Sequence, residues 1–295
     1  YRNAIQEVVQ PGDRVLDFGC GTGVLSIFAE RAGASKVYAL DRSTMLYAAE
    51  EIFAKNGCKN IEAIFGEGDT VELPGQVDII VSEWMGHFLF AERMLTSLIT
   101  LRDKFLRPGG KIIPEYCSLH LGLVVTKEVY EELAFLRTHP YGIDYSPVSE
   151  WSFNEVGIHR FRAEDLHPDT ICLGGFSLTT VRETPDLLEG KITPKEATGA
   201  PWTWDPASQA TVVYGMCGWF EAQLSPNVRL STSPFAPATH WYHFHFPFVR
   251  PLEVAAGETI EIEVEIVPQR GQNGYTWRAS TANEYRDGES LEQPG

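Results

Sequence analysis

Val15-Leu16-Asp17-Phe18-Gly19-Cys20-Gly21-Thr22-Gly23-Val24-Leu25 is the stretch that decides the fold. A short buried strand runs into a glycine-rich turn, and 24–32 continues as an amphipathic helix. Glycine lets a backbone turn tightly and approach a ligand with no Cβ in the way. The third glycine comes one residue earlier than in a dinucleotide loop, which suits a ligand with no pyrophosphate to seat on the helix N-terminus. Asp41 ends the next strand, where a carboxylate can accept hydrogen bonds from both hydroxyls of a ribose. Gly68 and Asp69 follow the third strand, and Asp69 can accept from an adenine amino group. An ordinary strand-to-helix turn explains the glycines but not the acid after the second strand. An NAD oxidoreductase is the rival reading for this half.

Working outward, β-branched runs (14–17, 36–41, 61–65, 77–82, 111–113) alternate with amphipathic stretches (24–32, 43–55, 94–105). That alternation implies parallel strands joined by crossover helices, a Rossmann-like α/β domain over 1–114. After Pro114 the strands are short and separated by Gly and Pro. In 259–267, Ile260, Ile262, Val264 and Ile266 alternate with Glu261, Glu263 and Glu265, which puts one face in a core and the other in water. Residues 115–295 are therefore expected to form a mostly antiparallel β domain. Within it, 128–185 begins helically at 129–136 and then turns polar and Pro-interrupted, and part of it reads as an excursion from that domain.

The 295 residues are long for one core and comfortable for two. Hydrophobic residues make up 43% and charged ones 22%, ordinary values for a folded chain. Lys plus Arg is 24 against 40 Asp plus Glu, a net −16 that repels nucleic-acid phosphate and anionic lipid and favours a basic partner. There is no apolar run of about 18 residues and no signal-peptide pattern at the start, so a soluble, intracellular setting is expected. Cys20, Cys58, Cys117, Cys172 and Cys217 are odd in number and never in CxxC spacing, which argues against a structural zinc site or a disulfide framework. The sequence opens on Tyr1 rather than Met, so a natural N-terminal segment is expected to precede it.

The fourth strand runs into Glu83-Trp84-Met85-Gly86-His87-Phe88-Leu89-Phe90-Ala91-Glu92. A hairpin here would converge two carboxylates at the carboxyl end of the sheet, where open α/β sheets bind ligands. Two anions in an apolar loop repel and tend to take up a proton unless a cation joins them. A guanidinium fits: it is planar, permanently charged, and offers paired N–H donors to each acid. Its own chemistry asks for such a pair, because delocalised lone pairs make it a poor nucleophile until it is polarised and held in line with an electrophile. One solvated glutamate and one in a surface ion pair is the plainer alternative.

Segment 82–95, SEWMGHFLFAERML, resembles the double-glutamate loop of protein arginine methyltransferases, and Thr239-His240-Trp241 resembles their THW loop. Tyr1-Arg2-Asn3 resembles the last turn of the helix that precedes their cofactor loop. The resemblance spans nearly the whole chain and is loosest over 141–204. It implies a β-barrel-like second domain with an inserted dimerisation arm at about 141–175 and a homodimer through that arm. It also implies S-adenosylmethionine as cofactor and S-adenosylhomocysteine as product, with Asp17, Gly19, Gly21, Gly23, Asp41, Gly68 and Asp69 binding it. Glu83 and Glu92 would clamp the substrate guanidinium, with Met94 shaping the pocket and Trp241 walling its entrance. His240 would order the glutamate hairpin and relay the proton lost after transfer. Asp41 and Asp69 stand where this family commonly has Glu, which implies re-spaced cofactor contacts. The family's cofactor-covering helix would precede Tyr1.

The implied reaction gives mono- and asymmetric dimethylarginine on Arg/Gly-rich or histone-like tails, with no direct nucleic-acid or membrane partner, in the cytoplasm or nucleus. Two rivals remain. One is an inactive partner that activates a sister subunit, against which the intact Glu83, Glu92 and His240 argue. The other is an amide or adenine methyltransferase, whose Asn/Asp-Pro-Pro-Tyr is replaced by Ser82-Glu83-Trp84-Met85. His243 and His245 share one strand face, but no carboxylate or cysteine spacing supports a metal there, and none is expected.

Overall fold

The computed structural model describes residues 1–184, 187–192, 204–205, 210–255, 257–268, 273–281 and 285–289. After the short helix α1 (Arg2–Val8), the chain alternates β1 (Arg14–Phe18), α2 (Val24–Arg31), β2 (Lys36–Asp41), α3 (Met45–Lys55), β3 (Ile61–Phe65), β4 (Val77–Val81), α4 (Met94–Phe105) and β5 (Leu106–Ile113). The five strands pair in parallel in the order β3-β2-β1-β4-β5. Buried residues recur on one face of α3 at Leu46, Ala49 and Phe53, the spacing of a helix packed on a sheet. In this strand order β1 and β4 are direct neighbours, with Asp17 opposite Val81. The chain reverses winding direction there, so the loops after β1 and β4 open into one crevice.

Past the cis Ile113–Pro114 bond the chain enters antiparallel structure. It continues as β6 (Tyr116–Val124), α5 (Glu128–Phe135), α6 (Ser146–Phe153), β7 (Gly157–His159), β8 (Leu166–Ser177), β9 (Leu187–Ile192), β10 (Trp204–Asp205), β11 (Ala210–Ser225), β12 (Val228–Ser231), β13 (His243–Ala255), β14 (Ile260–Pro268), β15 (Asn273–Ser280) and β16 (Tyr285–Glu289). A seven-stranded sheet runs β7-β13-β11-β6-β8, with β10 and β12 also on β11, and a four-stranded sheet runs β16-β15-β14-β9. This is the expected architecture, a Rossmann-like parallel sheet followed by barrel-like antiparallel sheets. The alternation in β14 holds: Ile260, Ile262, Val264 and Ile266 are buried while Glu261 and Glu265 are exposed. Of the 141–175 segment, α6 and two 3₁₀ turns lie outside the sheets, whereas β7 and most of β8 are strands of the seven-stranded sheet.

One continuous apolar core joins the two halves, with Trp84, Phe88 and Phe90 from the loop after β4 packed beside Phe246 and Trp277. Polar pins reinforce it. Glu7 of α1 accepts hydrogen bonds from Ser225 Oγ (2.8 Å) and Asn227 Nδ2 (3.0 Å). The buried Arg102 of α4 donates through Nη1 to the carbonyls of Leu178 (2.9 Å) and Val181 (2.7 Å). Among the described residues no helix is long and apolar enough to cross a membrane.

Candidate active site

The glycine turn hangs on β2: Gly19 and Cys20 N–H both donate to the Leu40 carbonyl, at 2.9 and 3.0 Å. Gly23 caps α2 in the left-handed region (φ 79°) with Phe53 packed against it, so a Cβ there would lie 2.2 Å from Phe53 Cε1. Only glycine satisfies both demands.

Two acids flank the turn in different states. Asp41 is half-buried, which by itself would raise its pKa, but N–H groups of Ser43 (2.7 Å to Oδ1), Gly21 (2.8 Å to Oδ2) and Arg42 hold it below the ordinary value. It stands ionised and ready to accept further hydroxyls. Asp17 is fully buried, and burial pushes its pKa up to about 7 despite the Ser26 hydroxyl on Oδ2 at 2.6 Å. Its Oδ1 is buried with no hydrogen-bond partner among the described residues. A lone buried carboxylate oxygen of this kind calls for a cation or donor beside it.

β4 delivers Glu83 next to this turn. Ser82 Oγ donates to the Phe18 carbonyl (2.7 Å) and Tyr1 Oη donates to the Ser82 carbonyl (2.9 Å), so the backbone just before Glu83 is held from two sides. The loop then doubles back through Gly86 (φ 50°), whose missing side chain leaves room for Glu92: a Cβ there would lie 3.3 Å from Glu92 Cγ and Oε1. Between the glutamates the loop is a plug of buried aromatics. Phe88 stacks on Phe244 at 5.4 Å, and Phe90 stacks on Phe176 at 5.7 Å. Leu89 and Arg93 are held in the left-handed region at φ 54° and 57°, conformations that non-glycine residues keep only where their surroundings enforce them. The enforcement comes from the second domain: Asn273 Nδ2 donates to the Phe90 carbonyl (2.7 Å), its N–H to that of Ala91 (3.4 Å), and Tyr242 N–H donates to His87 Nδ1 (3.2 Å).

Both glutamates, with Gly19, Asp41, Gly68, Asp69 and Met94, line one cavity of about 610 Å³. Phe18, Arg42, Ser43, Gly66, Glu67, Arg93, Thr96 and Ser97 complete the wall, so five carboxylates face two guanidinium groups. Such a cavity favours cationic ligands. Glu83 reaches this opening but is crowded by protein elsewhere, and burial raises its pKa. The neighbouring Glu92 charge raises it further, while the Met85 N–H (3.2 Å) and the charged form of His240 pull it down.

Asp17, Gly21, Gly23, His240 and Trp241 are not among the residues lining this cavity. His240 is exposed, its ring tilted against Trp241 at 3.8 Å, and close enough to act on the Glu83 charge. Trp241 packs edge-on against Phe220 at 5.7 Å and lines a neighbouring cleft. His243, buried, accepts from Phe161 N–H through Nδ1 (3.0 Å), and its Nε2 faces the Thr232 carbonyl (2.9 Å), so both ring nitrogens have backbone partners. Among the described residues no group of three His, Cys, Asp or Glu side chains is arranged to hold a metal. Sequence reasoning missed Ser26, Tyr1 as a brace and Asn273. Only Tyr1 left a trace, through its place in the helix before the turn.

Residues 3–114 match the family described as ribosomal protein L11 methyltransferase, and residues 115–276 match the arginine methyltransferase oligomerization subdomain. The chain is 33% identical over 287 residues to protein arginine N-methyltransferase 1 of Saccharomyces cerevisiae, covering 92% of this chain and 78% of that protein. It is 32% identical over 263 residues to the histone-arginine methyltransferase CARMER of Drosophila persimilis, covering 88% of this chain but about half (49%) of that one. Among solved structures, the Trypanosoma brucei PRMT1 enzyme-prozyme heterotetrameric complex with AdoHcy superposes with a TM-score of 0.85 at 28% identity, over 99% of this chain and 93% of the other.

Proposed function

This chain belongs to the protein arginine N-methyltransferases, S-adenosylmethionine-dependent enzymes, and from that premise we propose how its residues divide the work. The observation that carries the proposal is that Glu83 and Glu92 share one cavity with Gly19, Asp41 and Asp69. Residues 1–114 are the cofactor domain and also carry the glutamate pair, and 115–295 are the substrate domain. The cavity suits the cofactor on three counts: an acidic wall, an ionised Asp41, and the unpartnered Asp17 oxygen beneath the glycine turn. Asp41 takes the ribose hydroxyls, Asp69 the adenine amino group, Gly68 and the glycine turn admit close approach, and Asp17 steadies the methionine end.

When bound, S-adenosylmethionine supplies an electrophilic methyl group on a sulfonium sulfur. The protein's own part is orientation and charge. Glu83 and Glu92 grip the flat guanidinium from two sides, and the bound cation relieves their mutual repulsion. Holding one end of the delocalised cation by paired hydrogen bonds concentrates electron density on the nitrogen presented to the methyl group. The product nitrogen must then lose a proton. Glu83, with its pKa above the usual carboxylate range, is a competent acceptor, and exposed His240 beside it passes the proton to water. Met94 shapes the pocket and Trp241 flanks its approach.

The acidic surface suits Arg/Gly-rich or histone-like tails, and the product expected is mono- and asymmetric dimethylarginine. Self-association is supported by apolar side chains left in water around α6: Tyr141 is 97% and Trp151 63% exposed. Five free cysteines suit the reducing cytoplasm or nucleus.

The test is radiolabelled methyl transfer to an arginine-rich peptide by wild type and Glu92→Gln, with S-adenosylhomocysteine binding measured in parallel. Turnover should fall about a hundredfold or more, as when one member of an enclosed charge pair is removed, while cofactor binding persists. Equal turnover would overturn the clamp. Mass spectrometry of the product reads the methylation class.

A further inference from the structure

Beside the active cavity lies a second cleft of about 360 Å³, between the segment that follows β7 and the loop that leads into β13. Its lining includes Arg160, Arg162, Ser233, Thr239 and Trp241, and among the described residues no carboxylate. In a chain of net charge −16, whose neighbouring cavity is walled by acids, this local reversal of sign is the feature that needs a reason.

Both arginines are available. Arg160 lies over the Tyr242 ring with Cζ 4.6 Å from its centroid, and among the described residues no carboxylate pairs with it. Stacking occupies the face of a guanidinium and leaves its in-plane N–H donors pointing outward, already oriented. Among the described residues the Arg162 guanidinium pairs with Glu164 alone, at 3.5 Å and at the surface, a contact of little energetic weight, while the nearby Asp165 carboxylate is taken up by the Arg162 backbone N–H (2.7 Å). Burial keeps His243 uncharged, and Arg160 reinforces that, so the arginines alone supply the charge of the cleft.

Position ties the cleft to the reaction. Trp241, in its wall, lies against His240, which acts on the Glu83 charge. Tyr242, beneath Arg160, hydrogen-bonds His87 inside the two-glutamate loop. A polypeptide whose arginine enters the clamp would therefore pass the cleft within a few residues, at about 3.3 Å of reach per extended residue.

We propose that this cleft binds an anionic side chain, carboxylate or phosphoryl, of the substrate polypeptide a few residues from the target arginine. The proposal rests on the arginine methyltransferase reading and adds a specificity element to it. Two hydrogen-bonded contacts in partly exposed surroundings should tighten binding about five- to tenfold.

The experiment uses fluorescein-labelled peptides with one arginine in a Gly/Ser background and a single Asp, phosphoserine or Asn at each offset up to about five residues on either side. Kd is measured by anisotropy, and kcat/KM by methyl transfer, for wild type and the Arg160→Gln/Arg162→Gln double variant. Asp or phosphoserine should bind about five- to tenfold tighter than Asn at one or two adjacent offsets, with the ratio falling to about one in the variant and at high salt. A gain for both anions means general anion capture, whereas a gain for phosphoserine alone assigns a phosphoryl subsite. A ratio near one at every offset in wild type, or a preference that survives in the variant, overturns the proposal. Failure of every peptide to accept methyl groups would count against the methyltransferase reading instead, and the binding ratios would still decide the cleft.

Discussion

Asp17→Asn isolates the electrostatic state of the cofactor floor. Burial lifts the Asp17 pKa from 3.8 to about 7. At about 1.4 kcal/mol per pH unit, ionising it inside the folded protein costs about 4 kcal/mol relative to the unfolded chain. Folded Asp17 holds its proton to higher pH than unfolded Asp17 does. The stabilisation linked to that proton is complete below about pH 4 and is lost as pH rises to about 7. Asparagine keeps the shape and can still accept the Ser26 hydroxyl (2.6 Å in wild type), but it does not titrate. Urea unfolding of both proteins, free of cofactor, should show the variant gaining about 3 kcal/mol on wild type between about pH 5 and pH 8. Taking the difference cancels the parallel contribution of Glu83. If Asp17 steadies the methionine end as proposed, the variant should also bind S-adenosylhomocysteine more weakly, because an amide cannot ionise to meet a cationic group. Stability curves that stay parallel over this pH range would refute a lone carboxylate buried beneath the glycine turn.

Other perturbations bear on neighbouring parts. Gly23→Ala puts a methyl group 2.2 Å from Phe53 Cε1 at a left-handed φ, and thermal or urea unfolding should register a loss of about 2–5 kcal/mol. Asn273→Ala strips the Phe90 carbonyl of its donor, so kcat should fall several-fold while cofactor affinity, followed calorimetrically, holds. The raised Glu83 pKa should set the acid limb of kcat/KM above the ordinary glutamate value of 4.5, because only the ionised acid grips a guanidinium; a limb at or below 4.5 would contradict it. Trp151→Asp should shift the species seen by light scattering toward monomer without changing the circular dichroism spectrum, since Trp151 is largely exposed within the chain.

Much of the site was legible before any coordinates. Gly19, Asp41 and the two glutamates, which share one cavity, could be singled out because the chemistry of a turn, a ribose and a guanidinium each narrows the residue type at a local position. Asn273 was not, because it lies 183 residues from the carbonyl it holds, and an asparagine near a strand start is ordinary in any sequence. Arg160 was missed for the same reason: its meaning depends on Tyr242 and on the loop carrying Trp241. Sequence placed His243 and His245 on one strand face without deciding whether that face is packed or wet; in the structure β13 is covered on both sides at that point, by Phe161 on one and by Phe88 and Tyr275 on the other.

The amino-acid order alone determined the alternation of strand and helix, the glycine turn, the switch to period-two strands after Pro114 and the residue types of the clamp, since each is a matter of neighbours in the chain. Tertiary structure decided how the two glutamates come to share one cavity. Placing β1 beside β4 brings the glycine turn to Glu83, and the aromatic plug seated against the second domain, with Gly86 leaving room, folds Glu92 back over the loop. It also raised the proton affinity of Asp17 and Glu83, because desolvation is a property of the surroundings assembled around a carboxylate and not of the carboxylate itself.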